Sequence, residues 1–359
     1  MISCLINMLI AFLIAPFFKQ KKYWLVGGNA GALFVDNGRA MYEYLQNKED
    51  VYWVLNKDSE CRKYFDENKL KYLIKGSVKC YLYFMKGEVC LFSHSISADI
   101  VPYLCAVPFI SYYHRKSYKV FLNHGTVGLK KRSPMHKRLE KQINKLLKSY
   151  NLNPCDSEFE KNIKVNDWKM PEESMYVCGY PRYDKLYNNK DRQTKDILYM
   201  PTWRKYDEDG INQFLNSNKL QEYLKKNKLK LRVYLHQLAR DRVKIDNKSE
   251  DILILDKNTN ITEELLNAKI LITDYSSVCY DFFYLGKKVC FYQYDKERYL
   301  KEVGSYVDLD NFFARSNTDV DMLLDDLENS NIKDAKEYFK YVDNNNCYRL
   351  YKRIKQWKK

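Results

Sequence analysis

The sequence predicts an α/β fold made of two doubly wound domains with parallel sheets. The chain has 359 residues, which is enough for about two domains. Short, continuously apolar runs alternate with amphipathic segments, a pattern typical of parallel strands that helices cover on both faces. These runs number about ten, which is more than one ordinary sheet usually holds. The chain is therefore expected to form two sheets.

The predicted strands follow one another with helical segments between them. They lie at 23–28, 51–55, 89–93, 119–123, 174–179, 196–200, 231–235, 251–255, 269–273 and 288–292. A helix is predicted at 37–47, and the stretch 332–357 is predicted to form a helix, a turn and a second helix. The polar, turn-rich stretch 178–195 indicates a junction between domains. The expected segments are 1–22, 23–178, 179–331 and 332–359, the last packing back on the N-terminal domain.

The composition points to an anionic partner. The formal net charge is +15, which suits nucleic acid, an anionic lipid surface or a phosphorylated substrate. No nucleic-acid-binding motif accompanies the charge, so nucleic acid is not expected. The ten cysteines include no CxxC pair and mostly lie in apolar runs, which predicts reduced, buried thiols.

The N-terminal stretch has an unusual charge pattern. Residues 1–18 carry no charged side chain, and Lys19, Lys21 and Lys22 follow directly. As a helix this stretch would measure about 27 Å, close to the bilayer core of about 30 Å. Basic residues after the apolar stretch, rather than before it, argue against a cleaved signal peptide. We predict a membrane anchor at 1–22 that leaves the following chain on the cytoplasmic side; the alternative is a buried first helix.

His124 and His236 each follow a predicted strand. His124 begins the sequence HGT, in which Gly125 lets the backbone approach a ligand and Thr126 supplies a hydroxyl. His236 follows the strand at 231–235 in the second half of the chain. One histidine from each domain, facing the other across a cleft, would suit general acid–base catalysis, although a lone histidine is often structural. Three further histidines are His94, His114 and His136.

Polar residues after two strands of the second domain predict a pyrophosphate site. Thr202 and Arg204 follow the strand at 196–200, and Ser276 and Ser277 follow the strand at 269–273 where a helix begins. Arginine binds phosphate oxygens through its planar fork, and the first N–H groups of a helix favour an anion. The alternatives are a surface salt bridge for the arginine and simple helix capping for the serines.

Several common site motifs are absent from the sequence. There is no GxxxxGK[ST] loop and no GxGxxG after a strand, which argues against P-loop and dinucleotide-binding proteins. No HExxH or similar ligand spacing occurs, so no metal site is predicted.

Four motifs together resemble one known family. NHGT.GLKKR, GYPRYD, YMPTWR and ITDYSSV.YDF..L.K occur in the family's order. They resemble the CDP-glycerol:polyol glycerophosphotransferases, which include teichoic-acid primases and polymerases, and the resemblance covers about residues 23–355. It implies a glycosyltransferase-B-like fold of two Rossmann-type domains facing a cleft. The N-terminal domain would bind the acceptor and the C-terminal domain the CDP donor.

The resemblance also implies an activity and a site. Glycerol phosphate, or a related polyol phosphate, would pass from CDP-glycerol or CDP-ribitol to a hydroxyl of a lipid-linked saccharide acceptor with release of CMP, and no cofactor would be required. This would serve synthesis of teichoic-acid-like or capsular polymers on the cytoplasmic face of a bacterial membrane. His124 and His236 match the catalytic histidines, with Gly125 and Thr126 on the acceptor or phosphate side. The expected donor-binding residues are Thr202, Arg204, Asp274, Ser276, Ser277 and Asp281.

The sequence departs from the family pattern at two places. Val127 stands where the family usually has proline after HGT, and DNNNCYR at 343–349 replaces the family's D-G-N-A-S-x-R. The second departure leaves open that the transferred group contains a different polyol. Two rival functions also stay open. One is a sugar-nucleotide glycosyltransferase of the same fold, and the other is a basic, membrane-attached nucleic-acid or scaffold protein that is not an enzyme.

A basic amphipathic segment lies at 133–150. Its apolar stripe is flanked by lysines and arginines, as in helices that lie on anionic lipid headgroups. The alternative is an ordinary surface helix packed on the core. The sequence does not decide between them.

Overall fold

A computed structural model describes residues 2–19, 22–102, 117–204, 206, 209–244, 249–257 and 259–357. The chain divides into two compact units. Unit 1 comprises Met1–Thr126, Met135–Lys185 and Asp343–Lys359, and unit 2 comprises Val127–Pro134 and Leu186–Val342. The junction thus lies at 185/186, inside the predicted stretch 178–195, while 127–134 belong to unit 2.

Unit 1 contains a five-stranded parallel sheet, a separate two-stranded parallel sheet, and the helices around them. Its strands are β1 Tyr23–Gly27, β2 Asp50–Leu55, β3 Tyr72–Ile74, β4 Val89–Phe92 and β5 Tyr118–Phe121 and, in the two-stranded sheet, β6 Asn153–Cys155 and β7 Met175–Val177. Its helices are α1 Ile2–Ile14, α2 Asp36–Leu45, α3 Cys61–Glu67, α4 Val78–Lys86, α5 Ile96–Asp99, α6 Lys137–Leu147, α7 Glu158–Asn166, α8 Tyr183–Tyr187 and, near the C-terminus, α16 Asn346–Gln356. The α8 helix crosses the junction between the units. Short 3-10 turns occupy Ala15–Phe17, Asn29–Gly31 and Glu172–Ser174.

Unit 2 repeats the alternation of strands and helices. Its strands are β8 Ile197–Met200, β9 Leu231–Val233, β10 Ile252–Ile254, β11 Ile270–Thr273, β12 Lys288–Tyr292 and β13 Ser316–Asn317. Its helices are α9 Asp209–Leu215, α10 Asn218–Asn227, α11 Gln237–Arg240, α12 Ile261–Asn267, α13 Val278–Tyr284, α14 Lys296–Glu302 and α15 Val320–Asn329, followed by the 3-10 turn Ala335–Glu337.

The predicted parallel sheets are confirmed in both units. The first sheet has the order β3-β2-β1-β4-β5 and the second β10-β9-β8-β11-β12-β13, with every described strand pair parallel. Strands β1, β4, β5 and β11 are buried along their whole length, as continuous apolar runs predict. The short strands β3 and β13 at the sheet edges have no such run, and sequence analysis missed both.

The sheet of unit 1 has a core on each face. Leu25, Cys90 and Phe121 point to one face, where helices α1 and α4 and the end of α6 cover them. Trp24, Val26 and neighbours from α2 and α16 form the core of the other face. Residues adjacent in a strand thus enter opposite cores, as strand geometry requires. Of nine described cysteines, all unpaired, seven are buried.

The N-terminal stretch differs from the prediction. Met8, Ala11 and Ala15 are fully buried in the core of unit 1, so 1–22 do not form a segment separate from that unit, and the predicted separate anchor is not supported. None of the helices in the described part of the chain has both the length and the apolar character that crossing a bilayer requires. The opposite side of α1 is exposed and apolar: it carries Ile2, Ile6, Leu9 and Leu13, of which Leu13 is 68% exposed.

The basic segment forms α6, and its apolar stripe divides into two parts. Leu147 is buried, and Ile143 and Leu146 pack against the same core as α1. Leu139, one turn nearer the start, is 48% exposed among exposed lysines. The second half of the helix therefore packs as an ordinary surface helix, while the first half does not.

The closing stretch 332–357 contains one helix rather than two. Its first part forms only the 3-10 turn Ala335–Glu337, and α16 begins at Asn346. Asp184 of GYPRYD accepts hydrogen bonds from the Asn346 side chain at 2.7 Å and from the Cys347 amide at 2.9 Å. Arg349 pairs with both oxygens of Asp343 at 2.8 Å. The altered DNNNCYR motif thus fastens α16 to unit 1.

Candidate active site

The carboxyl ends of three neighbouring strands in unit 2 surround a cleft. Its volume is about 280 Å³. The lining residues are Lys130, Met200, Pro201, Thr202, Trp203, Tyr234, His236 and Ser276. Thr202 follows β8, His236 follows β9 and Ser276 follows β11, so the sheet order brings three predicted site residues together. Ligands of doubly wound folds bind at this edge, beside the point where the strand order reverses.

Thr202 is held in place by a buried carboxylate. Its amide donates to Asp274 at 3.0 Å, and its hydroxyl donates to the same side chain at 2.9 Å. Asp274 is 1% exposed. The carboxylate therefore fixes the backbone of the loop that follows β8, rather than facing the cleft.

Arg204 lies between two carboxylates. Its guanidinium is 3% exposed and contacts Asp274 at 2.9 Å and Asp295 at 2.5 Å. Burial lowers the pKa of Arg204, but the two aspartates raise it by more, so the guanidinium stays charged. The predicted role of Arg204 as a direct phosphate ligand stays a prediction. In this structure the planar guanidinium binds the two carboxylates.

The two serines before α13 make little use of their hydroxyls as caps. Ser276 Oγ accepts one long hydrogen bond of 3.4 Å from the amide of Val278. Ser277 is the N-cap residue, and its side chain makes no capping hydrogen bond. Both serines are partly exposed. Both hydroxyls are therefore able to bind a ligand. Helix capping accounts for the position of Ser276 only through one long hydrogen bond, and it does not account for Ser277.

His236 stands at the start of α11. Its Nδ1 accepts a hydrogen bond of 3.3 Å from the amide of Leu238. In the neutral ring the proton therefore lies on Nε2, which is left to act as a donor. The ring of Trp203 lies roughly parallel to the imidazole, with 6.3 Å between centroids. The exposed ring can thus offer an N–H group at the cleft.

The HGT loop of unit 1 is fixed by two asparagines. Asn123 adopts φ +57°, and its side chain accepts from the His124 amide at 2.9 Å and donates to the Gly125 carbonyl at 2.8 Å. Asn37 donates to the Asn123 carbonyl at 2.9 Å. This left-handed conformation suits asparagine, and it turns His124 outward to an exposed position.

Thr126 faces the interior of unit 1. Its hydroxyl donates to Asp156, which is fully buried, and lies 3.0 Å from the hydroxyl of Tyr183. Burial raises the pKa of Asp156, and the nearby Glu160 raises it further. Thr126 therefore anchors the end of the loop through its side chain.

A second histidine accompanies His124. The ring of His94 stacks on that of His124, with centroids 4.6 Å apart and planes 4° apart. Although part of His124 is exposed, the surrounding protein shields the rest of the ring from water, and this desolvation lowers its pKa; His94 lowers the pKa further. A lowered pKa keeps the imidazole neutral, and so able to accept a proton, down to lower pH. The sequence alone assigns no role to His94: its place directly after the strand predicted at 89–93 is a local signal, but the stack on His124 leaves no local pattern.

Other named residues lie elsewhere. His114 is outside the described residues, and His136 is exposed at the start of α6. Asp281 is half-buried in α13 and is not among the residues that line the cleft. Within the described ranges no cluster of histidine, cysteine and acidic residues suits a metal ion.

Comparison with known proteins identifies the family. The sequence profile of the CDP-Glycerol:Poly(glycerophosphate) glycerophosphotransferase family matches residues 10–356. The chain belongs to this family.

Similar proteins are known from Bacillus subtilis. The chain is 27% identical over 360 residues to the "Minor teichoic acid biosynthesis protein GgaB" of Bacillus subtilis, covering 89% of the chain but 38% of that protein. It is 28% identical over 228 residues to the "Teichoic acid glycerol-phosphate primase" of the same organism, covering 58% of each protein. The chain thus matches less than two thirds of either relative.

A solved structure of a polymerase has the same fold. The wall teichoic acid polymerase TagF matches with a TM-score of 0.72 and 19% identity, covering 98% of this chain and 93% of that one. The α/β, glycosyltransferase-like fold expected from the resemblance is therefore confirmed.

The buried position of Arg204 yields a prediction about stability. Replacing Arg204 by alanine leaves Asp274 and Asp295 buried without their partner, which should cost about 3–5 kcal/mol of unfolding free energy. Replacing Arg315, which pairs with Asp325 at an exposed site, should cost less than about 1 kcal/mol. Urea denaturation measures both. A normal unfolding free energy for Arg204→Ala would show that the ion pairs of Arg204 do not hold the loops after β8, β11 and β12 together.

Proposed function

We propose that the chain transfers glycerol phosphate, or a related polyol phosphate, from a CDP-activated donor to a hydroxyl of a lipid-linked acceptor and releases CMP. The observation that carries this proposal is the cleft of unit 2, where Thr202, His236 and Ser276 meet in a member of the glycerophosphotransferase family. The relatives named for teichoic acid synthesis support a role in making a bacterial cell-surface polymer. We propose that this synthesis takes place at the cytoplasmic face of the membrane.

The cleft of unit 2 suits the donor's pyrophosphate. Lys130 supplies a positive charge at its edge, and Ser276 supplies a hydroxyl with one weak internal bond. Charge-assisted hydrogen bonds to phosphate oxygens are stronger than neutral ones. Arg204 contributes in this proposal by holding Asp274, which in turn holds Thr202, rather than by touching the donor.

The cleft also offers groups for the nucleotide. Trp203 and Tyr234 line it, and their flat rings suit stacking on a base or packing on a sugar. His236, whose Nε2 can donate, would hydrogen-bond an oxygen of the transferring phosphoryl group. The sequence alone indicated neither Trp203 nor Tyr234 as a site residue, because aromatic side chains after a strand are too common to indicate a site.

The proposed reaction is an in-line displacement at the phosphorus that carries the polyol. His124 takes the proton from the acceptor hydroxyl, whose oxygen forms a new bond to this phosphorus. The bond from the phosphorus to the bridging oxygen breaks, and CMP leaves with the electron pair. General-base catalysis of this kind contributes about 10²–10⁴-fold. Charge on the departing CMP is stabilised by fixed donors of the cleft.

Product analysis tests the proposed reaction. With CDP-glycerol and a lipid-linked acceptor analogue, we expect CMP and an acceptor heavier by one glycerol phosphate, detected by mass spectrometry. His124→Ala should lower turnover about 10²-fold or more, whereas His136→Ala, at an exposed site on α6, should not.

Two outcomes would contradict this reaction. Release of a nucleoside diphosphate from a sugar nucleotide would favour the glycosyltransferase alternative. Near-normal turnover in the His124→Ala variant would remove this histidine from the mechanism.

We further propose that unit 1 attaches to an anionic membrane surface. The exposed apolar side of α1 and the lysines of α6 lie over the same core of the unit, so apolar insertion and charge attraction can act together. Such attachment would keep the enzyme beside a lipid-linked acceptor. The proposal needs no helix that crosses the membrane.

Vesicle sedimentation tests the attachment. Changing Ile6, Leu9 and Leu13 to serine should weaken co-sedimentation with vesicles that contain anionic lipid, with little change in melting temperature, since these side chains are exposed. Ile332→Ser, at an exposed apolar site of unit 2, is the control. Met8→Ser should instead lower the melting temperature, because Met8 is buried. Unchanged sedimentation of the triple variant would exclude α1 as the attachment site.

A further inference from the structure

His94 is anchored by a buried carboxylate. Asp99, fully buried at the end of α5, accepts hydrogen bonds from the amides of Ser93 at 2.9 Å, His94 at 2.7 Å and Ala30 at 2.9 Å. The Nδ1 atom of His94 lies 3.5 Å from the same carboxylate. The backbone and the side chain of His94 are thus both tied to one rigid group.

This environment favours the charged form of His94. The contact with Asp99 raises the pKa of His94 by more than burial lowers it. Burial raises the pKa of Asp99, but its bonds to His94 and to Ala30 outweigh burial and hold it below the usual value. Lys75, whose ammonium donates to the Ala98 carbonyl at 3.0 Å, adds positive charge near Asp99. The carboxylate is therefore ionised and the imidazole beside it is readily protonated.

The contact between the two histidines is face to face. Rings that are parallel within 4° with centroids 4.6 Å apart direct their N–H groups sideways, so neither ring hydrogen-bonds the other. The interaction must act through ring packing and charge. Two positive charges at this distance disfavour the doubly charged state by roughly fivefold even at the dielectric constant of water, and by more inside protein.

Other charged groups near His124 partly offset one another. Asp36, at the start of α2, favours protonation of His124, and Arg182, just before α8, opposes it. These two side chains pair at 2.8 Å, so their opposite effects on His124 partly cancel. Asp36 also favours the charged form of His94. Among the charged groups, His94 therefore has the largest effect on the protonation of His124.

We propose that His94, held as a cation by Asp99, is a positioning residue that stacks on His124 and keeps it in the neutral, proton-accepting form. The inference rests on the proposed role of His124 as the general base. The stack fixes the plane of the His124 ring, so its free nitrogen keeps one direction. The same repulsion helps His124 give up the proton after transfer, which returns the base for another turnover.

Titration of His124 by NMR tests this without any substrate. With histidine labelled at ¹³Cε1, the His124 signal is assigned by its loss in His124→Ala and followed against pH. In His94→Asn, and in His94→Phe, which keeps a flat ring without charge, the protonation equilibrium of His124 should shift about fivefold or more towards the charged form. His136→Asn is the matched control and should leave it unchanged, because His136 lies at the exposed start of α6.

Activity supplies a second readout. In both His94 variants, the acid limb of the pH profile of kcat/KM for CMP release should move to higher pH by the amount that NMR reports. The maximal kcat/KM of His94→Phe should stay nearer to the wild-type value than that of His94→Asn. An unchanged His124 titration in a folded variant of either kind would overturn the inference. A shifted titration in a protein that releases no CMP would leave the inference standing and reject the proposed function instead.

Discussion

A buried arginine between two aspartates organises the site of unit 2. Arg204 follows β8, Asp274 follows β11 and Asp295 follows β12, and these three strands are neighbours in the sheet. A buried charge must be paired, so the loops that carry Arg204, Asp274 and Asp295 cannot separate without leaving a buried charge unpaired or exposing it to water. The hydrogen bonds from Asp274 to Thr202 extend this constraint to the cleft wall. The position of the proposed donor site therefore depends on a group that does not line it.

In unit 1, too, polar residues follow the carboxyl ends of the parallel strands, but the residue types differ from those of unit 2. The strand order reverses between β1 and β4, and Asp99 joins the loops after these strands through Ala30 and His94. In unit 2 the order reverses between β8 and β11, whose loops carry Thr202 and Ser276. Each unit thus places a buried aspartate at its switch point, where parallel strands leave room for a ligand.

The sequence predicts the parts of this structure that depend on local pattern. Long apolar runs predict the central strands, and polar residues after them predict Thr202, His236 and Ser276 at one edge. Pairing between distant residues leaves no such pattern, so the pairing of Arg204 and the stack of His94 on His124 were missed. The predicted N-terminal anchor is not supported, for a related reason. An uncharged stretch suits a bilayer or a protein core equally, and only the packing of Met8 and Ala11 separates the two.

The proposed donor site requires that Ser276 and Ser277, which follow β11, bind the donor's pyrophosphate. Calorimetric titration of CDP-glycerol into the wild-type protein and the Ser276→Ala/Ser277→Ala variant tests it most directly. Each lost hydrogen bond to a charged group is worth about 1.5–3 kcal/mol, so the variant should bind the donor at least tenfold more weakly while melting at a normal temperature. Unchanged donor affinity together with a lower melting temperature would contradict the account and leave the serines as helix caps.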